Sequence, residues 1–333
     1  MWEESELRKG VQSEKVATAE AVRGAVEALE NKLPPEPVLD NVFPSYDIDP
    51  TIYQYKIAMV PMNIPFGSFE AVEKHGVKPL RIRENDSDRI ANALVKNVRQ
   101  ACAAGARLIC CSEYCYPILR HNRIKRKLAD LASKYGAYIV AGSYVDTEPE
   151  KPCYNTCLVF SPHRSEPYEQ YKNGLGNFKK KRESINIPSP AVEKVFQTEL
   201  GVIVILVCVD VQDARMQRVL EILNNDRNAF QAVDLVIVPS YTSDPDDMQL
   251  YCEKLSESTG TSVVFVHDSS YGSHSTIYLC GESQSRSLEQ IKNTARDHGP
   301  VHIFSFDLAK LRNKRRKQLA KKAITRSLDR NGS

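Results

Sequence analysis

Glu113, Lys172 and Cys208 each stand at the end of a segment that reads as a strand. Glu113 closes Arg107-Leu-Ile-Cys-Cys-Ser112, Lys172 follows Tyr168-Glu-Gln-Tyr171, and Cys208 closes the almost wholly apolar run Val202 to Cys208. Each has a bland reading: the carboxylate as a structural hydrogen-bond acceptor, the lysine as a solvated cation, the cysteine as a small core residue. Together they hold the parts that covalent acyl transfer requires. The thiolate is the nucleophile, yet a thiol with a pKa of ~8.5 is mostly protonated at neutral pH. A carboxylate that takes the proton, with an ammonium beside it, removes that obstacle. The tetrahedral oxygen formed on attack then needs a cation or N–H donors, and loss of one such donor costs about 10²-fold or more in rate.

The elements that must position these groups are legible in the pattern. The β-branched run Val202–Cys208 predicts a strand buried on both faces. A polar, helix-forming stretch, Gln212–Leu223, follows it, so the chain passes from strand to helix where the cysteine sits, a place where free backbone N–H groups can meet an anion. Further strands are expected at Tyr55–Asn63, Arg107–Ser112, Ala137–Tyr144, Asn155–Ser161, Val233–Pro239, Ser262–His267, Ser275–Cys280 and Val301–Phe306. Gly142, inside one of them, points to a close backbone approach. Ile90, Leu94, Val98 and Ala101 recur at helical spacing, capped by Asp86 or Ser87 and ended by Gly105. A second helix covers about residues 120–135, with Ile124, Leu128, Leu131 and Ala132 inward, and a third lies near Asp246–Thr259. Lys172–Ser189 reads as basic and irregular. Strands alternating with helices, with strand pairs between, predict an α/β fold with mixed sheets.

Residues 1–37 form a helical arm with the narrow stripe Val22, Val26, Leu29 and Leu33, ended by Pro34-Pro35-Glu36-Pro37 as a stiff linker. Residues 52–312 are the domain proper, and 313–333 a basic tail. The tail belongs to a helix candidate, Leu308–Leu328, that lays Leu308, Leu311, Leu319 and Ile324 on a surface. It lacks interleaved aromatics, which argues against a nucleic-acid partner. With 333 residues and a formal net charge of +3, nothing suggests disorder or a polyanionic partner. No apolar run reaches the length of a membrane span, and the acidic start Met1-Trp-Glu-Glu-Ser-Glu is unlike a signal peptide, so a soluble, cytoplasmic protein is expected. Nine scattered cysteines fit a reducing compartment. Cys111-x3-Cys115 and Cys153-x3-Cys157 have the wrong spacing for zinc, and each pair has one histidine nearby, His121 or His163, which leaves a ligand missing.

The order Glu113, Lys172, Cys208, at separations of 59 positions from the first to the second and 36 more to the third, resembles the nitrilase or carbon–nitrogen hydrolase superfamily. Matching pieces run from Lys56-Ile-Ala-Met-Val through Leu108-Ile-Cys-Cys-Ser-Glu113-Tyr, Tyr135-Gly-Ala-Tyr-Ile-Val-Ala-Gly142-Ser and Tyr154-Asn155-Thr-Cys-Leu-Val-Phe-Ser-Pro162. They continue through Gln170-Tyr-Lys172-Asn-Gly-Leu175, Gly201-Val-Ile-Val-Ile-Leu-Val-Cys208-Val-Asp210 and Asp234-Leu-Val-Ile-Val-Pro239-Ser240, and end at Phe306-Asp307-Leu-Ala-Lys-Leu-Arg312. The resemblance implies an α-β-β-α sandwich that assembles as a homo-oligomer, dimer or larger. It implies hydrolysis of a small-molecule amide or nitrile without metal or organic cofactor. Cys208 would attack, Glu113 would act as general base, Lys172 with the Val209 backbone N–H would hold the oxyanion, and Glu183 would be a second, positioning glutamate. The chain departs from the family pattern at Ser112 (usually Pro), Val209 (usually Tyr or Trp), Val211-Gln-Asp-Ala-Arg215 (in place of Phe-Pro-Glu) and His267 (often Asn). Those changes, with the arm and tail, suit an unusual substrate, or a nitrilase-like scaffold or sensor serving self-assembly or partner recognition.

Overall fold

The structure, a computed structural model, describes residues 38–42, 52–74, 76–148, 150–178, 181–189, 191–225, 232–272, 275–280, 286–287 and 301–317. The arm, its linker and the tail beyond residue 317 lie outside the described residues.

Two mixed sheets carry the domain. The six-stranded sheet runs in the order His302–Asp307, Gln54–Val60, Ala106–Cys111, Tyr138–Val145, Asn155–Phe160, Tyr168–Tyr171. The seven-stranded sheet runs Val38–Val42, Val192–Thr198, Gly201–Ile205, Leu235–Ser240, Ser262–His267, Thr276–Tyr278, Arg286–Ser287. Each has three adjacent parallel strands at its centre: Gln54–Val60, Ala106–Cys111 and Tyr138–Val145 in one, Gly201–Ile205, Leu235–Ser240 and Ser262–His267 in the other. Parallel strands need crossovers, and the helices Glu84–Ala103, His121–Tyr135, Ala214–Asn225 and Pro245–Thr259 supply them.

Side-chain alternation along the strands sorts residues into layers. Tyr55, Ile57, Met59, Leu108, Cys110, Tyr138 and Val140 share one core with Val204, Val236 and Val264 of the other sheet. Ala58, Val60, Ile109, Cys111, Ile139 and Ala141 face instead the cluster built on Ile90, Leu94, Val98, Ile124 and Leu128. Met248, Cys252 and Leu255 of Pro245–Thr259 cover the seven-stranded sheet. The result is the α-β-β-α sandwich expected. Each fully buried Leu or Ile in these layers contributes about 1.5–3 kcal/mol relative to exposure. His121–Tyr135 stops at Gly136, whose φ of 61° suits a left-handed C-cap. Glu84–Ala103 starts earlier than its sequence suggests: Asp86 and Ser87 lie within its first turn rather than capping it, and Ser87 Oγ donates to the Arg83 carbonyl at 2.9 Å.

Three features differ from the sequence reading. The strand expected over Val202–Cys208 ends at Ile205, and Cys208 begins a separate turn of 3-10 helix, Cys208–Gln212. The helix that follows starts at Ala214, so no α-helix N-terminus meets the cysteine. Strands beyond those expected include Val38–Val42 and Val192–Thr198, which pair in parallel, the latter beside Gly201–Ile205, and the antiparallel pair Phe69–Ala71 and Leu80–Ile82. Within the stretch read as irregular, Asn177–Phe178 and Lys181–Arg182 form a short antiparallel pair.

Residues 308–317 are helical. Leu308 and Leu311 are buried, and Arg315 is 5% exposed. The basic residues here serve the fold: Arg312 Nη2 and Nε reach Asp234 at 2.8 and 3.1 Å, and Arg315 donates to the carbonyls of Val233 (2.7 Å) and Gly260 (2.9 Å). All nine cysteines are free thiols and buried. Among the described residues, no helix is long and apolar enough to cross a membrane.

Candidate active site

The site is assembled at the carboxyl ends of the central parallel strands, the usual place for ligands in such sheets. Glu113 lies two residues beyond Ala106–Cys111, fully buried. The turn that holds it is anchored by two hydrogen bonds and bent at Tyr114. Ser112 Oγ accepts the Met62 N–H at 3.2 Å, the Tyr114 N–H meets Ser143 Oγ at 3.1 Å, and Tyr114 adopts a φ of 57°. Gly142 is the close approach expected: a Cβ there would lie 2.2 Å from the Ser112 carbonyl oxygen and 2.3 Å from Cys115 Sγ, at a φ of +72°. Only glycine allows this turn to sit so near its neighbour strand.

Lys172 extends the edge strand Tyr168–Tyr171 by one residue, its N–H donating to the Asn155 carbonyl at 2.9 Å. Its ammonium is 2% exposed and sits between two carboxylates, 2.8 Å from Glu113 Oε1 and 2.7 Å from Glu183 Oε2. Asn155 completes the cluster, its Nδ2 donating to Glu113 Oε1 at 2.9 Å and to Glu183 Oε1 at 3.3 Å. Both partners are acceptors, so the amide must face them with its nitrogen. Glu113 Oε2 accepts the Tyr241 N–H at 2.9 Å. Glu183 also takes the Gly176 N–H at 3.0 Å and the Tyr114 hydroxyl. Tyr114, Tyr241 and Phe69 form an edge-to-face aromatic trio around these groups.

Cys208 has a φ of 54°, in the left-handed region that side chains other than glycine rarely occupy. Such a conformation costs roughly 1–2 kcal/mol. It lifts the side chain out of the strand direction, as a nucleophile at a tight strand-to-helix turn requires. Ser240 Oγ donates to Cys208 Sγ at 3.4 Å. Val209 is partly buried, and its methyls would be 3.1 and 3.6 Å from side chains added at Gly174 and Gly176.

The electrostatics follow from burial and charge. Burial pushes the Cys208 thiol up to about 12, the Glu113 charge adds to this, and the Lys172 ammonium and the Ser240 hydroxyl oppose it. The resting site therefore holds a protonated thiol. Burial disfavours the Lys172 charge, but Glu113, Glu183 and Cys208 together hold it firmly protonated. Glu113 is raised by burial, with Lys172 working against the shift. For Glu183, burial raises the pKa, but the Lys172 charge and the bonds from Lys172, Tyr114 and Gly176 outweigh it and leave it lowered. Breaking such a buried, paired charge typically costs 3–5 kcal/mol.

Of the five residues singled out from the sequence, Glu113, Lys172 and Glu183 are directly hydrogen-bonded, and Cys208 lies within their field. Val209 adjoins the thiol along the chain. The sequence reading gave no role to Asn155, Ser240 or Tyr241. Their signal is a polar residue at the end of an otherwise apolar strand. His267 is fully buried, with Nε2 2.8 Å from the Thr242 carbonyl oxygen, a contact within the fold.

Residues 56–227, more than half of the chain, match the family described as carbon–nitrogen hydrolase. Among solved structures, the chain is similar to Nit3 of Saccharomyces cerevisiae, a member of branch 10 of the nitrilase superfamily, at 14% identity with a TM-score of 0.54, covering 82% of this chain and 96% of that one. It is also similar to an amidase from Nesterenkonia sp. (14% identity, TM-score 0.52, covering 80% of this chain and 95% of that one). The NitFhit protein of C. elegans shares 14% identity at a TM-score of 0.56, over 81% of this chain and 64% of that one. A variant of the Nesterenkonia sp. AN1 amidase shows covalent addition of the acetamide moiety of fluoroacetamide at its active-site cysteine. A search of curated proteins gave no match.

Proposed function

The chain belongs to the carbon–nitrogen hydrolase family, and from that premise we propose that it is a cysteine-dependent hydrolase of a non-peptide carbon–nitrogen bond, amidase-like and working through an acyl-enzyme. The observation that carries this reading is the buried Lys172 ammonium held between Glu113 and Glu183, whose charges act on the Cys208 thiol.

Glu113 is the general base. A carboxylate offers about four acceptor sites, and Lys172, Asn155 and Tyr241 fill three on Glu113. The proposed mechanism assigns the remaining site to the S–H of Cys208. With the resting thiol protonated, attack is coupled to this transfer: the proton moves to Glu113 as sulfur bonds to the substrate carbon. The oxygen of the tetrahedral intermediate draws on the Lys172 ammonium and the Val209 N–H. Glu113 returns its proton to the departing nitrogen, the C–N bond breaks, and a thioester remains on Cys208. Water, deprotonated by Glu113, then attacks the thioester; the C–S bond breaks, the acid leaves, and Glu113 returns the proton to the Cys208 sulfur. Lys172 keeps its proton throughout, because its two carboxylate partners favour the charged form.

The substrate class proposed is a small-molecule amide or nitrile, and the assembly a homo-oligomer. A second reading, a catalytically altered scaffold or sensor, draws on one observation: the thiol stands far above neutral pH in the resting site. Turnover separates the two. Ammonia release from a panel of small amides and nitriles, lost in Cys208→Ser, supports the hydrolase; no release above background across the panel favours the scaffold.

A further inference from the structure

Asp210 is 3% exposed within the Cys208–Gln212 turn and has no part in the acyl-transfer steps. Its carboxylate accepts the Asn173 N–H on both oxygens at 3.1 Å, and the Val207 N–H at 3.2 Å. Asn173 directly follows Lys172, and Val207 directly precedes Cys208. One side chain thus ties the segment that delivers the ammonium to the segment that delivers the thiol. We infer that Asp210 is a positioning residue that fixes the Lys172 segment against the Cys208 turn, an inference that rests on the hydrolase reading of this site.

The packing leaves little slack. A Cβ at Gly174 would stand 3.1 Å from Asp210 Oδ1 and 3.1 Å from a Val209 methyl. One at Gly176 would stand 3.2 Å from Glu183 Oε2 and 3.5 Å from Lys172 Nζ. The chain after Lys172 lies directly on the turn, and both glycines keep that contact free of side chains. Asn173 is held from its other end as well, its side-chain amide donating to Glu193, which also takes Gln170 Nε2 at 2.9 Å.

Electrostatics argue that this arrangement does not serve stability alone. Burial pushes Asp210 up to about 7, although Lys172 and the N–H groups of Asn173, Gly174 and Val207 oppose the shift. Burial and the nearby Asp210 and Asp213 raise Glu193 too, against Asn173 and Lys194. A carboxylate whose folded pKa exceeds its unfolded value favours the fold at low pH, and that contribution is lost as the pH rises through the folded value. At pH 8 that contribution is largely gone, and what holds the carboxylate in place is the set of N–H groups it accepts.

The test uses the full-length protein, iodoacetamide as probe, and peptide mass spectrometry to follow each of the nine cysteines at pH 8. In the parent, Cys208 is expected to alkylate faster than the other eight. Asp210→Asn is expected to slow Cys208 by about 10-fold or more, the penalty of ångström-scale misplacement, while the other eight cysteines alkylate no faster than in the parent. Gly174→Ala, which presses on the same contact from the loop side, is expected to slow Cys208 likewise. The inference is overturned if Cys208 stays fast in Asp210→Asn or in Gly174→Ala. It is equally overturned if the other eight cysteines alkylate faster in Asp210→Asn, which would mark a general loosening of the fold. Should Asp210→Asn fail to fold, Gly174→Ala decides alone. If the parent shows no preference for Cys208, the hydrolase reading fails first and the inference falls with it.

Discussion

The Lys172 ammonium lies 2.8 Å from Glu113 Oε1 with both side chains shut off from solvent, at 2% and 0% exposure. An ion pair in that setting survives only if its remaining partners are also in place. Here Asn155, Tyr241 and Glu183 supply them.

Removing the cation tests that dependence. Lys172→Met leaves Glu113 and Glu183 buried without a counter-charge, and is expected to cost about 3–5 kcal/mol of stability at neutral pH. Without the ammonium, both folded carboxylate pKa values rise, so the deficit should shrink as the pH falls and grow as it rises. Urea unfolding at pH 5.5 and pH 8 measures this; a deficit independent of pH would contradict it.

Glu183 carries a prediction of opposite sign. Its charge raises Glu113, so Glu183→Gln lowers the Glu113 pKa. In the proposed mechanism Glu113 acts when ionised, so the acidic limb of the Cys208 alkylation profile is expected to move to lower pH. A shift to higher pH would show that Glu183 does not act on the base.

Asn155 offers the amide that both carboxylates share. Asn155→Asp places a third carboxylate against Glu113 and Glu183, where like charges disfavour ionisation. Its alkylation or turnover rate should fall by about 10²-fold or more, the usual worth of a working general base. A rate within a factor of two or so of the parent's would show that the amide is dispensable.

Away from the site, Asp234 accepts from Arg312, lies 3.4 Å from Arg315, and takes the Val202 N–H at 3.0 Å. Asp234→Ala leaves the buried Arg315 guanidinium without its counter-charge and is expected to cost about 3–5 kcal/mol, read as a lower urea midpoint. An unchanged midpoint would mean that the basic helix of residues 308–317 contributes little to the fold.

Much of the sandwich was legible because its central strands are continuous apolar runs and its first two helices carry clean stripes, such as Ile90, Leu94, Val98 and Ala101. Glu113 and Lys172 were legible for a related reason: each is a charge at the end of a strand, where burial is otherwise hard to explain. The Cys208 turn was not. Hydrophobicity reports burial rather than backbone direction, and Leu206 and Val207 are as buried outside the strand as Ile205 is within it. Val38–Val42 was hidden because its partner, Val192–Thr198, lies 154 residues away in register. Asp210 was visible as a residue, but its role depends on Asn173 and Val207 meeting in space, which no spacing reveals. The leucines of residues 308–317 mark a helix laid on a surface, but the anchoring of Arg312 on Asp234 and of Arg315 on the Val233 and Gly260 carbonyls depends on partners more than 50 residues away in the chain.

The most direct measurement is a trapped acyl-enzyme. The protein is mixed with small amides, quenched in acid, and analysed by intact mass and peptide mapping. The expected result is a mass gain equal to the acyl group, confined to Cys208 and absent from Glu113→Gln, whose side chain cannot take the thiol proton. No adduct with any amide, an adduct on another cysteine, or undiminished labelling in Glu113→Gln would contradict a Glu113-activated Cys208 nucleophile.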